Sequence, residues 1–183
     1  NEIVNICKKE KINGVIATTE LTVEIASYIA KEIESPGLDF QIASVITDKF
    51  RNRKVCQGLN HIHQPRFAEI HSVEDLITVD LRFPIIVKPT TKGGKQGITV
   101  ANNEAELVQA FQYAKEKSGS NPVIIEEFLE GGKEYSVETL SYKGKHYIIQ
   151  VTEKLSSGPP HCVELGHRQP ADISGDIRKK VEI

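Results

Sequence analysis

The sequence predicts an α+β protein with an α/β piece at its N-terminus, and three observations carry that prediction. The apolar run "PIIVKP" (84–89) enters a glycine-rich stretch and leaves it as a second short apolar run, "ITVA" (98–101). A stretch with one apolar stripe, "EAELVQAFQYAKEKSG" (104–119), then leads to another strand-like run, "PVIIEEFL" (122–129). Finally, "YSVETLSYKGKHYIIQVTEKL" (135–155) alternates on either side of Lys143-Gly144, the signal of a β-hairpin. Strand, loop, strand, helix, strand and hairpin in that order describe an antiparallel sheet packed on a helix.

The N-terminal elements follow the same logic. "GVIA" (14–17) predicts a short strand, and "ELTVEIASYIAKEIE" predicts a helix because Leu21, Ile25, Ile29 and Ile33 recur at fours. Thr18 or Thr19 can cap that helix, and "SPG" (35–37) stops it. A second helix is expected through "SVITDKFRNRKVCQGL" (44–59), with Lys49, Arg51, Arg53 and Lys54 on a basic face. "NHIHQPRF" is a turn-rich connection to a short extended piece. Ser72 followed by Asp75 has capping-box spacing and predicts a short helix before Pro84. Asn102 or Asn103 caps the helix that Gly119 ends. The tail from Ser156 is rich in Gly, Pro and His until a weak helix near Ile173.

Composition narrows the function classes. Across 183 residues, 39% are hydrophobic and 26% charged, and the formal net charge is −2, so no global basic field draws the chain to nucleic acid or anionic membranes. Any anion site has to be local. The three cysteines, Cys7, Cys56 and Cys162, fit a reducing compartment better than a disulfide scaffold. No apolar stretch approaches the ~20 residues that cross a bilayer, and the expected location is cytoplasmic. The chain starts at Asn1 and has no Met, which suggests a trimmed or partial version of a longer polypeptide.

The loop from Thr90 to Gly97 is the most informative segment. Gly93, Gly94 and Gly97 let backbone N–H groups approach an anion, and Lys92 and Lys95 add charge. It is not a Walker A loop, because Gln96 follows the lysine and Pro89 stands at the first glycine position. Nor is it a dinucleotide fingerprint, since a strand follows it. Taken alone, it reads equally well as a basic, solvated hairpin turn. Lys88 shifts the balance: an ammonium at the end of "PIIV" is costly to desolvate without an anionic partner, although an edge-strand lysine could also snorkel to water. Further on, Glu126 and Glu127 precede Phe128-Leu129, an apolar platform on which an adenine could lie, and Glu134 follows a Gly-Gly turn, where a carboxylate can meet hydroxyls.

Together "TDKFRNR", "FPIIVKPTTKGGKQGITV", "VIIEEFLEGGKEYSVE" and "HCVELGHRQPA" resemble the ATP-grasp ligases, the superfamily of biotin carboxylase, carbamoyl-phosphate synthetase and D-alanine ligase. Within it, "TEKLSSGPPHCVELGHRQPA" is similar to the group of L-amino-acid ligases that make dipeptides. The likeness runs from about Gly14 to the end.

The resemblance implies a partial ATP-grasp fold: the end of an N-terminal α/β region with linking helices (1–80), a nucleotide-binding subdomain (81–155) and the start of a C-terminal subdomain (156–183). It implies that Lys49 and Lys88 are the two nucleotide-binding lysines and that the loop with Gly93, Gly94, Lys95 and Gly97 is a mobile lid over the phosphates. Glu126 would lie near the adenine amino group, the hinge Glu127, Phe128 and Leu129 would read adenine, and Glu134 would bind ribose. His161, Glu164, His167 and Arg168 would face the phosphate and the acceptor, with His161 and Arg168 as catalytic candidates. The implied chemistry is ATP-dependent carboxylate–amine ligation through an acylphosphate, releasing ADP and phosphate. Its partners would be a small-molecule carboxylate and an amine, with a homodimer left open.

Magnesium is implied for the full-length protein, but the family's late acidic strand and "E-x-N-P-R"-like motif do not occur before "KKVEI". The sequence as it stands is therefore expected to lack a metal set and normal turnover, and spacing gives no support to Glu164 or Glu182 as substitutes. Three other readings have weaker support. Cys56 with His61 and His63, or His161 and Cys162 with His167, lacks the paired spacing of structural zinc. Cys162 beside His161 is equally weak as a nucleophile. RNA binding through Lys49–Lys54 lacks an aromatic stacking motif. The alternative of a different class is a non-catalytic ATP-binding or regulatory module.

Overall fold

The computed structural model describes residues 2–60 and 62–181. Helices α1 (Glu2–Lys9), α2 (Val23–Glu32), α3 (Phe40–Ile46) and α4 (Lys49–Cys56) precede strand β1 (Phe67–Ile70) and a 3-10 helix (Val73–Thr78). Strands β2 (Ile85–Pro89) and β3 (Thr99–Ala101), helix α5 (Glu104–Ser118) and strand β4 (Val123–Glu127) follow. The chain continues through β5 (Glu134–Tyr142), β6 (Lys145–Ser156), β7 (Glu164–Arg168) and α6 (Gly175–Val181).

Two antiparallel sheets form, not one. The first has the order β1-β4-β2-β3 and the second β5-β6-β7. The hairpin predicted around Lys143-Gly144 is present, but it pairs with β7 in the second sheet. Strand β7 was hidden in the charged "ELGHR" segment, which has no apolar alternation to reveal it.

Period-2 geometry divides the first sheet into two faces. Ile85 and Val87 of β2, with Val123 and Ile125 of β4, pack on Leu107, Ala110, Phe111 and Ala114 of α5. Each such large apolar side chain contributes about 1.5–3 kcal/mol when fully buried. The alternate residues point the other way: Ile86 joins Ile98, Val100, Cys162 and Phe128 in a second, smaller cluster. Lys88 and Glu126 share that second face, because Ile86 is registered opposite Glu126.

Caps fix the helix ends. The Asn103 side chain accepts the Glu106 N–H at 3.0 Å and the Glu106 carboxylate accepts the Asn102 N–H at 2.9 Å, while Gly119 ends α5 with φ 65°. The capping acid Asp75 accepts the N–H groups of His71 and Ser72, both at 2.9 Å.

Two further expectations are corrected. No strand forms at Gly14–Ala17, since among the described residues no strand lies beside it to complete a ladder, and Ile16 is exposed. The single helix expected over 44–59 is broken into α3 and α4, because Asp48 turns its carboxylate onto the Arg51 N–H at 3.0 Å and starts a new helix.

Candidate functional site

The break at Asp48 puts Lys49 in the first turn of α4 and fastens it to the glycine-rich loop. The Lys49 N–H donates to the Thr90 carbonyl at 2.9 Å, and its Nζ donates to the Lys92 carbonyl at 2.7 Å. Burial holds its ammonium below the usual lysine range; nearby Glu20 opposes that shift and Lys88 adds to it.

Arg53 lies one turn beyond Lys49, on the same helical face. Its Nε donates to Glu126 Oε1 at 2.5 Å, while Lys88 Nζ donates to the other oxygen, Oε2. Glu126 is only 2% exposed. Burial alone would push its carboxyl up, but the Lys88 ammonium and the Arg53 guanidinium overcome that and hold it below the ordinary value. Lys88 thus has an anionic partner, and that partner is a carboxylate of the protein itself.

The glycine-rich loop connects β2 to β3. Gly94, Lys95 and Gly97 all take positive φ, so the loop folds back tightly over the cleft. Glu20 lies against Gly93, where a Cβ would come 2.3 Å from its carboxylate oxygen. Lys95 reaches Glu134, the first residue of β5, at 3.0 Å. Below the loop, Phe128 closes the apolar cluster of Ile86, Ile98 and Val100, and its N–H is held by the Pro84 carbonyl at 2.9 Å. Leu129 is exposed at the rim.

These groups border one cleft of about 1460 Å³ between the two sheets. Lys49, Lys88, Gly93, Gly94, Lys95, Glu126, Glu127, Phe128, Leu129, Glu134 and Glu164 all line it; Gly97 sits behind it at the root of the loop. The wall from the second sheet includes Glu153 and Lys154. Lys154 bridges Glu164 at 3.0 Å and Glu134 at 3.9 Å, and Glu153, nearly buried, pairs with Lys133 at 2.9 Å and Arg168 at 3.2 Å.

Sequence reasoning did not single out Glu20, Arg53, Glu153 or Lys154 as site residues. Arg53 had a usable signal, its spacing of four from Lys49 on a helix. The others had none, because their neighbours come from distant segments.

Three expected residues lie off the cleft lining. His161 packs behind β3, with Nδ1 on the Ile98 carbonyl at 3.0 Å and its ring edge-on to Tyr113. His167 pairs with Glu164 at 3.0 Å, and Arg168 is turned to Glu153. Cys162 is buried in the apolar cluster, and burial pushes its thiol up, which suits a packing residue and not a nucleophile. Among the described residues, no three His, Cys, Asp or Glu side chains converge as a metal-binding group. His61 and Glu182, considered above, lie outside the described residues.

Residues 81–183, from just before β2 to the end, match the family model of the ATP-grasp domain. The chain belongs to the ATP-grasp family. Relatives include the carbamoyl phosphate synthase large chain of Clostridium botulinum (strain Loch Maree / Type A3), 28% identical over 98% of this chain and 17% of that protein. That of Caldanaerobacter subterraneus subsp. tengcongensis is 30% identical over 76% of this chain and 13% of that protein. The ATP-grasp chain thus spans less than a fifth of the length of these relatives. Among solved structures, the L-amino acid ligase from Bacillus licheniformis superposes with a TM-score of 0.81 at 24% identity, over 98% of this chain and 43% of that one. The biotin carboxylase domain dimer of 2-oxoglutarate carboxylase from Hydrogenobacter thermophilus, solved with MgADP, ADP and bicarbonate, gives 0.79 at 18% identity, over 98% and 42%. At these identities the likeness establishes the ATP-grasp fold, which the sequence had predicted.

Proposed function

We propose that this chain is the nucleotide-grasping part of an ATP-dependent carboxylate–amine ligase, acting on an amino acid or similar small carboxylate in the cytoplasm. The observation that carries the reading is the convergence of Lys49, Lys88 and Lys95, from a helix, a strand and a glycine loop, on one cleft floored by Phe128. The Hydrogenobacter neighbour, whose fold this chain shares, was crystallised as a dimer with MgADP and ADP, which supports an adenine nucleotide as the ligand.

The cleft suits ATP chemically. Lys88 and Lys49 offer fixed ammonium groups to phosphate oxygens, and Lys95 brings a third when the loop lies closed. Backbone N–H groups at Gly93 and Gly94 add donors without side-chain bulk. Phe128 and Leu129 give an apolar seat for the base, and Glu134 accepts from ribose hydroxyls. Bound ATP would supply the phosphoryl group that turns a carboxylate into an acylphosphate open to an amine, with ADP and phosphate released. The protein's share is placement and charge neutralisation, which explains cations and donors in the absence of a nucleophilic side chain. Glu164, Glu153 and Lys154, on the second-sheet wall, are the residues closest to the acceptor end in this reading.

Magnesium does not fit a protein-made set here, and no step is assigned to it: Glu164 is already paired with Lys154 and His167, and no three His, Cys, Asp or Glu side chains converge among the described residues. The second reading is a non-catalytic ATP-binding module.

Calorimetric titration with ATP and with GTP, with and without Mg²⁺, tests the proposal, alongside Lys88→Ala. Saturable, adenine-selective binding that is lost in the variant is expected. Equal affinities for variant and parent, or for the two nucleotides, would overturn the assignment. Product formation from ATP, amino acids and amines separates the ligase from the non-catalytic module.

A further inference from the structure

The glycine-rich loop is held at both roots by groups outside its own hairpin. At the N-terminal root, the Thr90 carbonyl takes the Lys49 N–H at 2.9 Å and Thr90 Oγ1 donates to the Pro122 carbonyl at 3.1 Å. At the C-terminal root, Gly97 is wedged at φ 73°, and a Cβ there would lie 2.8 Å from Pro89 and 3.1 Å from Lys117. The next residue, Ile98, presents its carbonyl to His161 Nδ1 at 3.0 Å.

His161 reaches that carbonyl from the connection between β6 and β7, in the other sheet. Its two neighbours pin it there: the Pro160 carbonyl accepts the Val100 N–H at 2.7 Å, and Cys162 is buried with Ile86, Ile98 and Val100. The ring packs edge-on to Tyr113 of α5, with centroids 6.1 Å apart. A carbonyl only accepts, so this contact is a hydrogen bond when Nδ1 carries the hydrogen; Thr99 Oγ1 stands farther from the same nitrogen, at 3.5 Å.

We propose that His161 is a positioning residue that sets the glycine-rich loop: its Nδ1–H on the Ile98 carbonyl locks the loop's C-terminal root and ties it to the second sheet. The loop then pivots between two fixed roots, so Lys95 returns to one position over the cleft. A displacement of the second sheet moves the β6–β7 connection and is passed to the loop through this hydrogen bond. The consequence for nucleotide rests on the function proposed above; the contact itself does not.

Hydrogen–deuterium exchange of the full chain, paired with ATP titration, tests this on His161→Ala, His161→Asn and His161→Gln. The Asn amide can place an N–H where Nδ1 stands, whereas the longer Gln amide reproduces Nε2. In the Ala variant, exchange across residues 91–98 is expected to rise about fivefold or more while α5 and β4 stay protected. Asn should restore protection and ATP affinity, and Gln should restore neither. Unchanged loop exchange in the Ala variant, equal rescue by Gln and Asn, or a rise spread over the whole chain would each overturn the proposal. If the parent protein binds no ATP, the nucleotide reading fails, and the exchange comparison still decides the role of His161.

Discussion

Lys95 and Glu134 stand 3.0 Å apart, and their ion pair joins the glycine-rich loop to the first strand of the second sheet. In the function proposed above, both groups are ones that a nucleotide would claim. The cleft lining carries as many carboxylates as cations, so in the proposed function nucleotide binding would exchange internal pairs for external ones and not fill a bare positive hole.

That exchange separates stability from affinity. The Lys95–Glu134 pair is partly solvent-exposed, so Lys95→Ala should change folding stability by no more than about 1 kcal/mol in urea denaturation. The same variant should lose about 1.5–3 kcal/mol of ATP binding, the scale of one charge-assisted hydrogen bond, measured by calorimetry. A large loss of stability with intact affinity would make the pair a structural strut.

Lys88 and Glu126 behave in the opposite way, because Glu126 is buried. Lys88→Met leaves the carboxylate with Arg53 alone and should cost about 2–4 kcal/mol of stability. Adding Glu126→Leu to Lys88→Met should recover part of that loss, which a double-mutant cycle measures. The pH dependence follows from the lowered Glu126 value. Its folded-state pKa is below the unfolded one, so its stabilisation is present above the ordinary carboxylate range of about 4.3 and is lost as pH falls through the folded value. Glu126→Gln should flatten the acid limb of a stability–pH curve. An acid limb unchanged by that substitution would assign the titration to other carboxylates.

Lys49 offers a proton-linked signature of phosphate binding. Burial lowers its pKa in the free protein, and an anion placed against it would raise that value again. Nucleotide binding should therefore take up protons at alkaline pH, between the lowered value of the free protein and the raised value of the complex. Titrations in two buffers of different ionisation enthalpy detect the uptake, and Lys49→Gln should abolish it. Uptake that persists in the Gln variant would place the titrating group elsewhere.

Two loop glycines should differ sharply on substitution. Gly97→Ala forces a Cβ against Pro89 and Lys117 at a positive φ, and should cost about 1–3 kcal/mol in thermal unfolding. At Gly93 the obstructing atom is the Glu20 carboxylate, the far end of a flexible side chain, so Gly93→Ala should cost less than about 1 kcal/mol. Equal losses would show that the loop root is less constrained than its packing.

Local signals made most of the scaffold legible. The apolar stripe of α5 with its Asn103 and Gly119 ends, the strands around the glycine loop and the Lys143-Gly144 hairpin depend on residues near one another, so their pattern is visible in the string. The breaks in that reading are equally physical. A helix pattern over 44–59 gave no warning that Asp48 would restart the helix, and "GVIA" reads as a strand whether or not a neighbour exists to pair with it.

The sequence by itself determined that Lys88 stands on the strand entering a glycine loop and Glu126 on a later strand beyond the next helix, in the order that resembles an ATP-grasp protein. Only the tertiary structure decided what they touch. Lys88 and Arg53 meet one carboxylate across sequence separations of 38 and 73 residues, and no local periodicity encodes such a meeting. His161, expected at the phosphate, is instead pinned behind β3 because Pro160 and Cys162 on either side of it are committed to a hydrogen bond and an apolar cluster. Burial and strand register, which arise only when distant segments pack, choose the partner of each charge.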